Sequence, residues 1–118
     1  MLADLRFDQV DGILVARLAG DIDMSNADDV AAALARTITN DKLALVLDLS
    51  EVDYFDSAGI HLVYDLRERL QIRGLALRIV VPTGSNARGS LELAGVLHSI
   101  DVDQSLDDAL EAAGAGRR

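Results

Sequence analysis

The chain has 118 residues, of which 20 are acidic and 11 basic, so its formal net charge at neutral pH is −9. Half of the residues are apolar, which suffices for the hydrophobic core of one domain and excludes wholesale disorder. The chain contains no cysteine, which excludes disulfides and thiolate chemistry, and its negative charge opposes binding to nucleic acid. No stretch approaches the roughly 18 apolar residues of a membrane span, and no signal peptide is recognisable, so we expect a cytoplasmic protein that contacts no membrane.

Two strands joined by a tight turn are predicted at the start of the chain. Apolar and polar side chains alternate over residues 3–8, which is typical of a half-exposed strand. The dipeptide Asp11-Gly12 favours a two-residue hairpin turn, since both positions of such a turn need positive φ. Residues 13–18 are then expected to pair antiparallel with the first strand. The second strand is expected to end at an acidic loop formed by residues 20–23, Gly-Asp-Ile-Asp.

Helices and strands alternate in the middle of the chain. A capping-box-like sequence at residues 25–28, followed by apolar residues at three- and four-residue spacing, predicts the first helix. The nearly continuous apolar run at residues 43–49 is typical of a central strand covered on both faces. Because a helix separates it from the previous strand, the two are expected to pair in parallel. A second helix, whose apolar stripe spans residues 60–70, ends near Gly74, and residues 75–81 predict another strand.

The last third of the chain completes an α/β domain. A third helix is expected between residues 83 and 95, a short edge strand over residues 96–102, and a last helix that begins after Ser105. The element order β-β-α-β-α-β-α-β-α predicts a single domain with a mixed sheet of four to five strands and packed helices. We expect this domain over residues 1–114 and a short flexible tail at residues 115–118.

Common catalytic and metal-binding patterns are missing from the sequence. His61 and His98 are far apart and have no cysteine neighbours, so no metal site is predicted. The loop from Gly84 to Gly89 has the glycine spacing of a phosphate-binding loop, but a serine follows where lysine would contact the phosphates. A phosphoacceptor receiver domain needs a lysine late in the chain, whereas the only lysine, Lys42, precedes the central strand. We therefore expect neither a cofactor nor enzymatic activity.

The segment between the central strand and the second helix is the most informative part of the sequence. Residues 48–59 are Asp-Leu-Ser-Glu-Val-Asp-Tyr-Phe-Asp-Ser-Ala-Gly. Asp56 or Ser57 would cap the helix and Gly59 would permit close packing, which accounts for these residue types without any function. The string nevertheless resembles the signature of the STAS family of bacterial anti-sigma factor antagonists, in which Asp-apolar-Ser precedes an apolar-aromatic stretch that ends in Asp-Ser-small-Gly. Residues 20–23 resemble the Gly-acid-apolar-Asp loop of that family, and the predicted element order is similar to its fold.

The resemblance implies a regulatory binding protein. It implies that Ser57 is phosphorylated by an ATP-dependent anti-sigma factor serine kinase, that the unphosphorylated protein binds this kinase and so frees a sigma factor, and that a phosphoserine phosphatase restores binding. An exposed hydroxyl at a helix N-terminus tolerates a phosphate, whose added charge of about −1.5 to −2 would enter an acidic surface and block docking. The implied partner-binding residues are Asp21, Asp23, Asp56, Ser57, Ala58 and Gly59.

Alternatives remain open for both the residues and the whole chain. Asp23 and Asp56 could serve as helix caps as well as partner contacts. The chain could also be a STAS-like subunit of a larger assembly, of the lipid-transport or stressosome type, in which phosphorylation is secondary or absent. A third hypothesis is a small nucleotide-binding or hydrolytic protein built on the loop from Gly84 to Gly89. A co-purifying kinase favours the first function and a multimeric scaffold the second, while titration with ATP and GTP tests the third.

Overall fold

Five strands and four helices alternate along residues 3–115, the part of the chain that the computed structural model describes. The strands are β1 (Asp4–Val10), β2 (Ile13–Ile22), β3 (Ala44–Phe55), β4 (Ala76–Val80) and β5 (Val102–Asp103). The helices are α1 (Ala27–Thr37), α2 (Ser57–Ile72), α3 (Asn86–Leu93) and α4 (Leu106–Ala112), with a 3-10 turn at Val96–His98. The sheet order is β1-β2-β3-β4-β5; β1 pairs antiparallel with β2, and the other neighbours pair in parallel. The predicted mixed α/β fold is confirmed.

Local sequence signals mark the hairpin, the end of α2 and the start of α4 correctly. Asp11 and Gly12 have φ values of 50° and 80°, as the predicted two-residue turn requires. Gly74 follows α2 with a φ of 73°, the left-handed conformation that ends many helices. The hydroxyl of Ser105 accepts a hydrogen bond from the backbone N–H of Asp108 at 3.1 Å, which caps α4. Each of these features depends on residues close together in the sequence.

β2 and β3 both extend beyond their predicted ends. Residues 20–23 are not the expected loop, because β2 continues to Ile22, and β3 continues to Phe55 instead of ending at residue 49. The two strands stay paired up to Ile22 and Phe55, with two register shifts along the way. This pairing satisfies backbone groups that a loop would leave to water. Because polar residues interrupt the apolar pattern on both segments, the sequence shows no strand periodicity there.

The predicted edge strand over residues 96–102 is largely wrong. Gly95, with a φ of 72°, leads into the 3-10 turn, and the strand that remains is the two-residue β5. The backbone N–H of Ile100 donates to the carbonyl of Val96 at 3.0 Å, which closes the turn. Both side chains are buried in the main core. The apolar residues that suggested a strand are therefore buried by a turn.

Helices cover both faces of the sheet. α1, α2 and α3 pack on one face, where Leu45, Leu47 and Leu66 are fully buried. α4 packs on the opposite face, where Ala109 joins a smaller core with Val46. Side chains of β3 thus alternate between two cores, which confirms the prediction of a central, two-sided strand. Because β2 and β3 are parallel neighbours, their carboxyl ends, and the helices that follow them, meet at the same edge of the sheet.

The described structure ends close to the predicted boundary between the domain and the tail. The backbone N–H of Ala115 donates to the carbonyl of Leu110 at 2.9 Å, so the chain stays in contact with α4 at this point. Residues 1–2 and 116–118 lie outside the described residues. The limits of the domain, 1–114, and of the tail, 115–118, therefore stay predictions. Among residues 3–115, no helix is both long enough and apolar enough to cross a membrane.

Candidate functional site

Ser57 is the first residue of α2, and its side chain is exposed. The carboxylate of the preceding residue, Asp56, accepts a hydrogen bond from the backbone N–H of Ala58 at 2.8 Å, so Asp56 is the residue that caps the helix. The cap holds the start of α2 in place directly after β3 ends. The serine hydroxyl therefore lies at the N-terminal end of a 16-residue helix, where backbone N–H groups and the helix dipole favour negative charge.

Gly59 lies beneath this helix start and is itself buried. A Cβ atom at this position would approach Cε1 of Phe55 to 2.7 Å, closer than side-chain atoms come to one another in proteins. The ring of Phe55 is buried, with an exposed fraction of 3%. The predicted close packing at Gly59 is thus present, and its partner is the last residue of β3. This contact ties the end of the central strand to the first turn of α2.

The acidic segment at residues 20–23, where β2 ends, is held in place by the buried side chain of Asn26, which has an exposed fraction of 3%. Its amide nitrogen donates to the carbonyl of Asp21 at 2.8 Å, and its amide oxygen accepts from the backbone N–H of Asp23 at 3.1 Å. The sequence predicts a capping box here, but Asn26 occupies the cap position of α1 without capping it by its side chain. It reaches back to hold the end of β2 instead. A lone asparagine at a helix start is ordinarily a cap, so the sequence carries no signal for this role.

The side chain of Asp23 does not cap α1 but bonds within its own loop. One carboxylate oxygen accepts from the backbone N–H of Ser25 at 2.8 Å and from the Ser25 hydroxyl at 2.5 Å. These two hydrogen bonds, the hydroxyl bond first, hold the pKa of Asp23 below its ordinary value. The carboxylate therefore stays charged to a lower pH than an aspartate without these hydrogen bonds.

The raised pKa of Tyr54 shows that carboxylates from the end of β2 and from the start of α2 act on one region of the surface. Its hydroxyl donates to Asp56 at 3.4 Å, and the side chain is half exposed. Asp21 is its register partner on β2. The pKa of Tyr54 is raised, first by the charge of Asp56, then by partial burial, by the hydrogen bond to Asp56 and by the charges of Asp23 and Asp21. We call Asp21, Asp23 and Asp56 the acidic rim. The pairing of β2 with β3 brings them together, as expected if the two strands are neighbours.

A shallow cleft of about 420 Å³ opens beside Ser57 between the first turns of α1 and α2. Met24, immediately after Asp23, is among its lining residues and has an exposed fraction of 88%. A methionine exposed to this degree offers a flexible apolar contact beside charged groups. Neither Met24 nor Tyr54 is marked by a pattern in the sequence, because the exposure of these side chains depends on how the two strands end. The lining residues are Met24, Ala27, Asp28, Asp56, Ser57, Ala58 and His61.

Comparison with known proteins identifies the family. The family model of the STAS domain matches residues 4–109. The chain belongs to the STAS family. BtrV of Bordetella bronchiseptica, a proposed anti-sigma factor antagonist, is 34% identical to this STAS domain over 110 residues, which cover 92% of each chain. RsfB of Mycobacterium tuberculosis, an anti-sigma-F factor antagonist, is 29% identical over 107 residues, or 90% of this chain and 85% of RsfB.

A solved structure supports the same assignment. The crystal structure of an anti-sigma factor antagonist from Mycobacterium paratuberculosis matches this STAS domain with a TM-score of 0.78 and 28% sequence identity. The match covers 94% of this chain and 93% of that one. The family predicted from the two acidic motifs is thus confirmed, and so is the α/β fold.

The glycine-spaced loop of this STAS domain follows β4 and leads into α3. Gly84 has a φ of 86°, and the hydroxyl of Ser85 accepts from the backbone N–H of Arg88 at 3.4 Å. The guanidinium of Arg88 donates to the carbonyl of Val81 at 2.8 Å and pairs with Glu92. The guanidinium of Arg88 is therefore engaged in holding the start of α3 against the end of β4, as in an ordinary turn before a helix.

A second cleft of the STAS domain, about 370 Å³, lies on the face that α4 covers. Asp48, among the lining residues, has an exposed fraction of 8% and accepts from the backbone N–H of Ser50 at 2.9 Å. Asp48 thus forms a local hydrogen bond within β3. Within residues 3–115, no group of three or more histidine, aspartate or glutamate side chains could hold a metal ion.

Proposed function

We propose that this STAS domain is a cytoplasmic anti-sigma factor antagonist that binds an anti-sigma factor serine kinase and is switched off by phosphorylation of Ser57. The observation that carries the proposal is the position of Ser57, exposed at the start of α2 and beside the acidic rim. The relatives BtrV and RsfB, which bear the names of such antagonists, support the choice of partner. The sigma factor is released when the unphosphorylated protein occupies the kinase.

Phosphorylation acts on charge at this site. The kinase transfers the γ-phosphoryl group of ATP to the Ser57 hydroxyl oxygen, ADP leaves, and the hydroxyl proton is released. The product adds about −1.5 to −2 charge at neutral pH. The helix N-terminus tolerates this charge, but the neighbouring acidic rim is already anionic. A partner surface that binds the unphosphorylated rim therefore meets a much stronger negative field after phosphorylation. Removal of the phosphate by a phosphoserine phosphatase restores docking.

The contacts beneath the site favour a switch that works on the surface without refolding. Gly59 packs against the buried ring of Phe55, and Asn26 holds the ends of the acidic segment through two hydrogen bonds. Both supports lie below or behind the exposed hydroxyl. A phosphate on Ser57 therefore changes what a partner meets, while the strands and helix starts stay in place. Met24 and Tyr54 supply the exposed apolar area that docking would bury.

Phosphate mapping with a matched serine variant tests the proposal. The wild-type protein, Ser57→Ala and Ser50→Ala are each incubated with the cognate anti-sigma factor and ATP and then analysed by intact mass and peptide mapping. Ser50 is a suitable control because its side chain is also exposed but lies on β3, outside the cleft that contains Ser57. We expect one phosphate on the wild type and on Ser50→Ala, and none on Ser57→Ala. A dominant phosphate on any other hydroxyl would contradict the switch.

A pull-down from the native host tests the choice of partner. Ser57→Ala should retain a small ATP-binding kinase at least as well as the wild type, because it cannot be switched off. Capture of a permease or a multimeric scaffold in place of a kinase would favour the alternative, a STAS subunit of a larger assembly.

A further inference from the structure

His61 lies one helical turn after Ser57 and lines the same cleft. Residues four apart on a helix are neighbours on its surface. Long side chains in helices also lean toward the N-terminus, so the imidazole of His61 covers the turn that contains Ser57. Both side chains are exposed, which leaves room for a phosphate between them and the opposite wall of the cleft.

The charges that face His61 are otherwise negative. Asp28 of α1 and Asp56 at the start of α2 line the cleft with it. Asp65, one turn later on α2, forms an ion pair with Arg69 at 3.0 Å, so its charge is already balanced. Among the described residues that line the cleft, His61 is the only one that can carry positive charge. A dianionic group introduced at Ser57 would therefore find one cation among the described residues that line the cleft.

We propose that His61 forms an ion pair with the phosphate of phosphorylated Ser57 and thereby makes the charge of the switched-off state depend on pH. The use of this pair in the cell rests on the phosphorylation proposed above. Imidazole and the second ionisation of a phosphoserine both titrate near pH 6 to 6.5, so each ion stabilises the charged form of the other. Their titration midpoints move apart: that of the imidazole rises and that of the phosphate falls. The ion pair is then most populated at pH values between the two midpoints.

The structure permits a direct test on the full-length chain. Phosphoserine is installed at position 57 during translation, so that no kinase is needed, and the two histidines are titrated by NMR with and without the phosphate. We expect the titration midpoint of His61 to rise by about 0.5–1 pH unit, somewhat more than an ordinary helical ion pair gives because the phosphate is doubly charged. His98 serves as an internal control, since it lies on the 3-10 turn and does not line the cleft.

A second measurement follows the phosphate itself. The ³¹P titration midpoint of the phosphorylated His61→Gln variant should lie above that of the phosphorylated wild type, because glutamine can donate a hydrogen bond but carries no charge. The proposal is overturned if the His61 midpoint moves no more than that of His98, or if the ³¹P midpoint is the same in both proteins. Kinase labelling of Ser57 is a separate assay. If the kinase does not modify Ser57 but the installed phosphate shifts His61, the switch fails and the ion pair stands.

Discussion

Replacing Gly59 by alanine tests the packing that holds the site together. The new Cβ would lie 2.7 Å from Cε1 of Phe55 and 2.8 Å from its Cδ1 and Cζ. Carbon atoms in favourable contact are about 3.5–4 Å apart, so the ring or the helix start must move by roughly 1 Å. The ring is 3% exposed, so its remaining neighbours resist that movement. We therefore expect Gly59→Ala to strain the junction between β3 and α2.

The magnitude follows from two opposing terms. Overpacking of a core costs about 1–3 kcal/mol, whereas alanine in place of glycine inside a helix gains up to about 1 kcal/mol. The free energy of unfolding should thus fall by about 1–2 kcal/mol. Gly89 provides a matched control, because it lies within α3 and nothing lies within 4 Å of its Cβ position. Gly89→Ala should raise the free energy of unfolding by about 0.5–1 kcal/mol.

Urea unfolding followed by circular dichroism measures both variants. The two substitutions are chemically identical, so opposite shifts of the midpoint isolate the contact with Phe55. In the Gly59→Ala background, Phe55→Leu should recover part of the loss, since leucine lacks the ring atoms that lie closest to the new methyl group. If Gly59→Ala stabilises the protein as much as Gly89→Ala does, the close packing between Phe55 and the first turn of α2 is wrong.

Three further predictions concern charge and cofactors. Ser57→Glu should weaken binding to the anti-sigma factor by about 2 kcal/mol, roughly thirtyfold, while Ser57→Ala should bind like the wild type; equal affinity of all three proteins in calorimetric titration would refute the electrostatic switch. Asp56→Asn should lower the pKa of Tyr54 toward its ordinary value of 10.0, because the largest cause of its upward shift is the charge of Asp56; an ultraviolet titration with Tyr54→Phe to assign the transition decides this, and an unchanged pKa would contradict the described geometry. Chelation with EDTA should leave the melting temperature unchanged, and a fall of several degrees would reveal a metal that the fold requires.

The exposed start of α2 could be predicted from the sequence because its signals are local. Asp56 and Ser57 stand at the start of a well-patterned helix, and an acidic or hydroxyl side chain at that point ordinarily satisfies the first N–H groups. The sequence left open which of the two is the cap, and the structure assigns the cap to Asp56. That choice leaves the serine hydroxyl at the exposed surface. The packing role of Gly59 was also foreseen, although not its partner.

The acidic rim and its surroundings depended on contacts between distant segments. Polar residues interrupt the apolar pattern at the ends of β2 and β3, so neither end shows strand periodicity. Hydrogen bonding between the two strands keeps these ends extended although the sequence pattern does not indicate it. Asn26 is buried because the end of β2 lies beside the start of α1, and its two hydrogen bonds reach residues before the helix. The exposure of Met24 and Tyr54 follows from the same junction.

By itself the sequence determined the hairpin at Asp11 and Gly12, most of the helix and strand order, and the position of a serine at a helix start. The tertiary structure alone decided how far β2 and β3 run, which carboxylates share a surface with Ser57, and that His61 faces the same cleft. The physical reason is the range of the interactions. Turns and helix caps satisfy backbone groups within a few residues. Strand pairing, and the combined charge of carboxylates at one edge of the sheet, depend instead on segments about 30 residues apart in the chain.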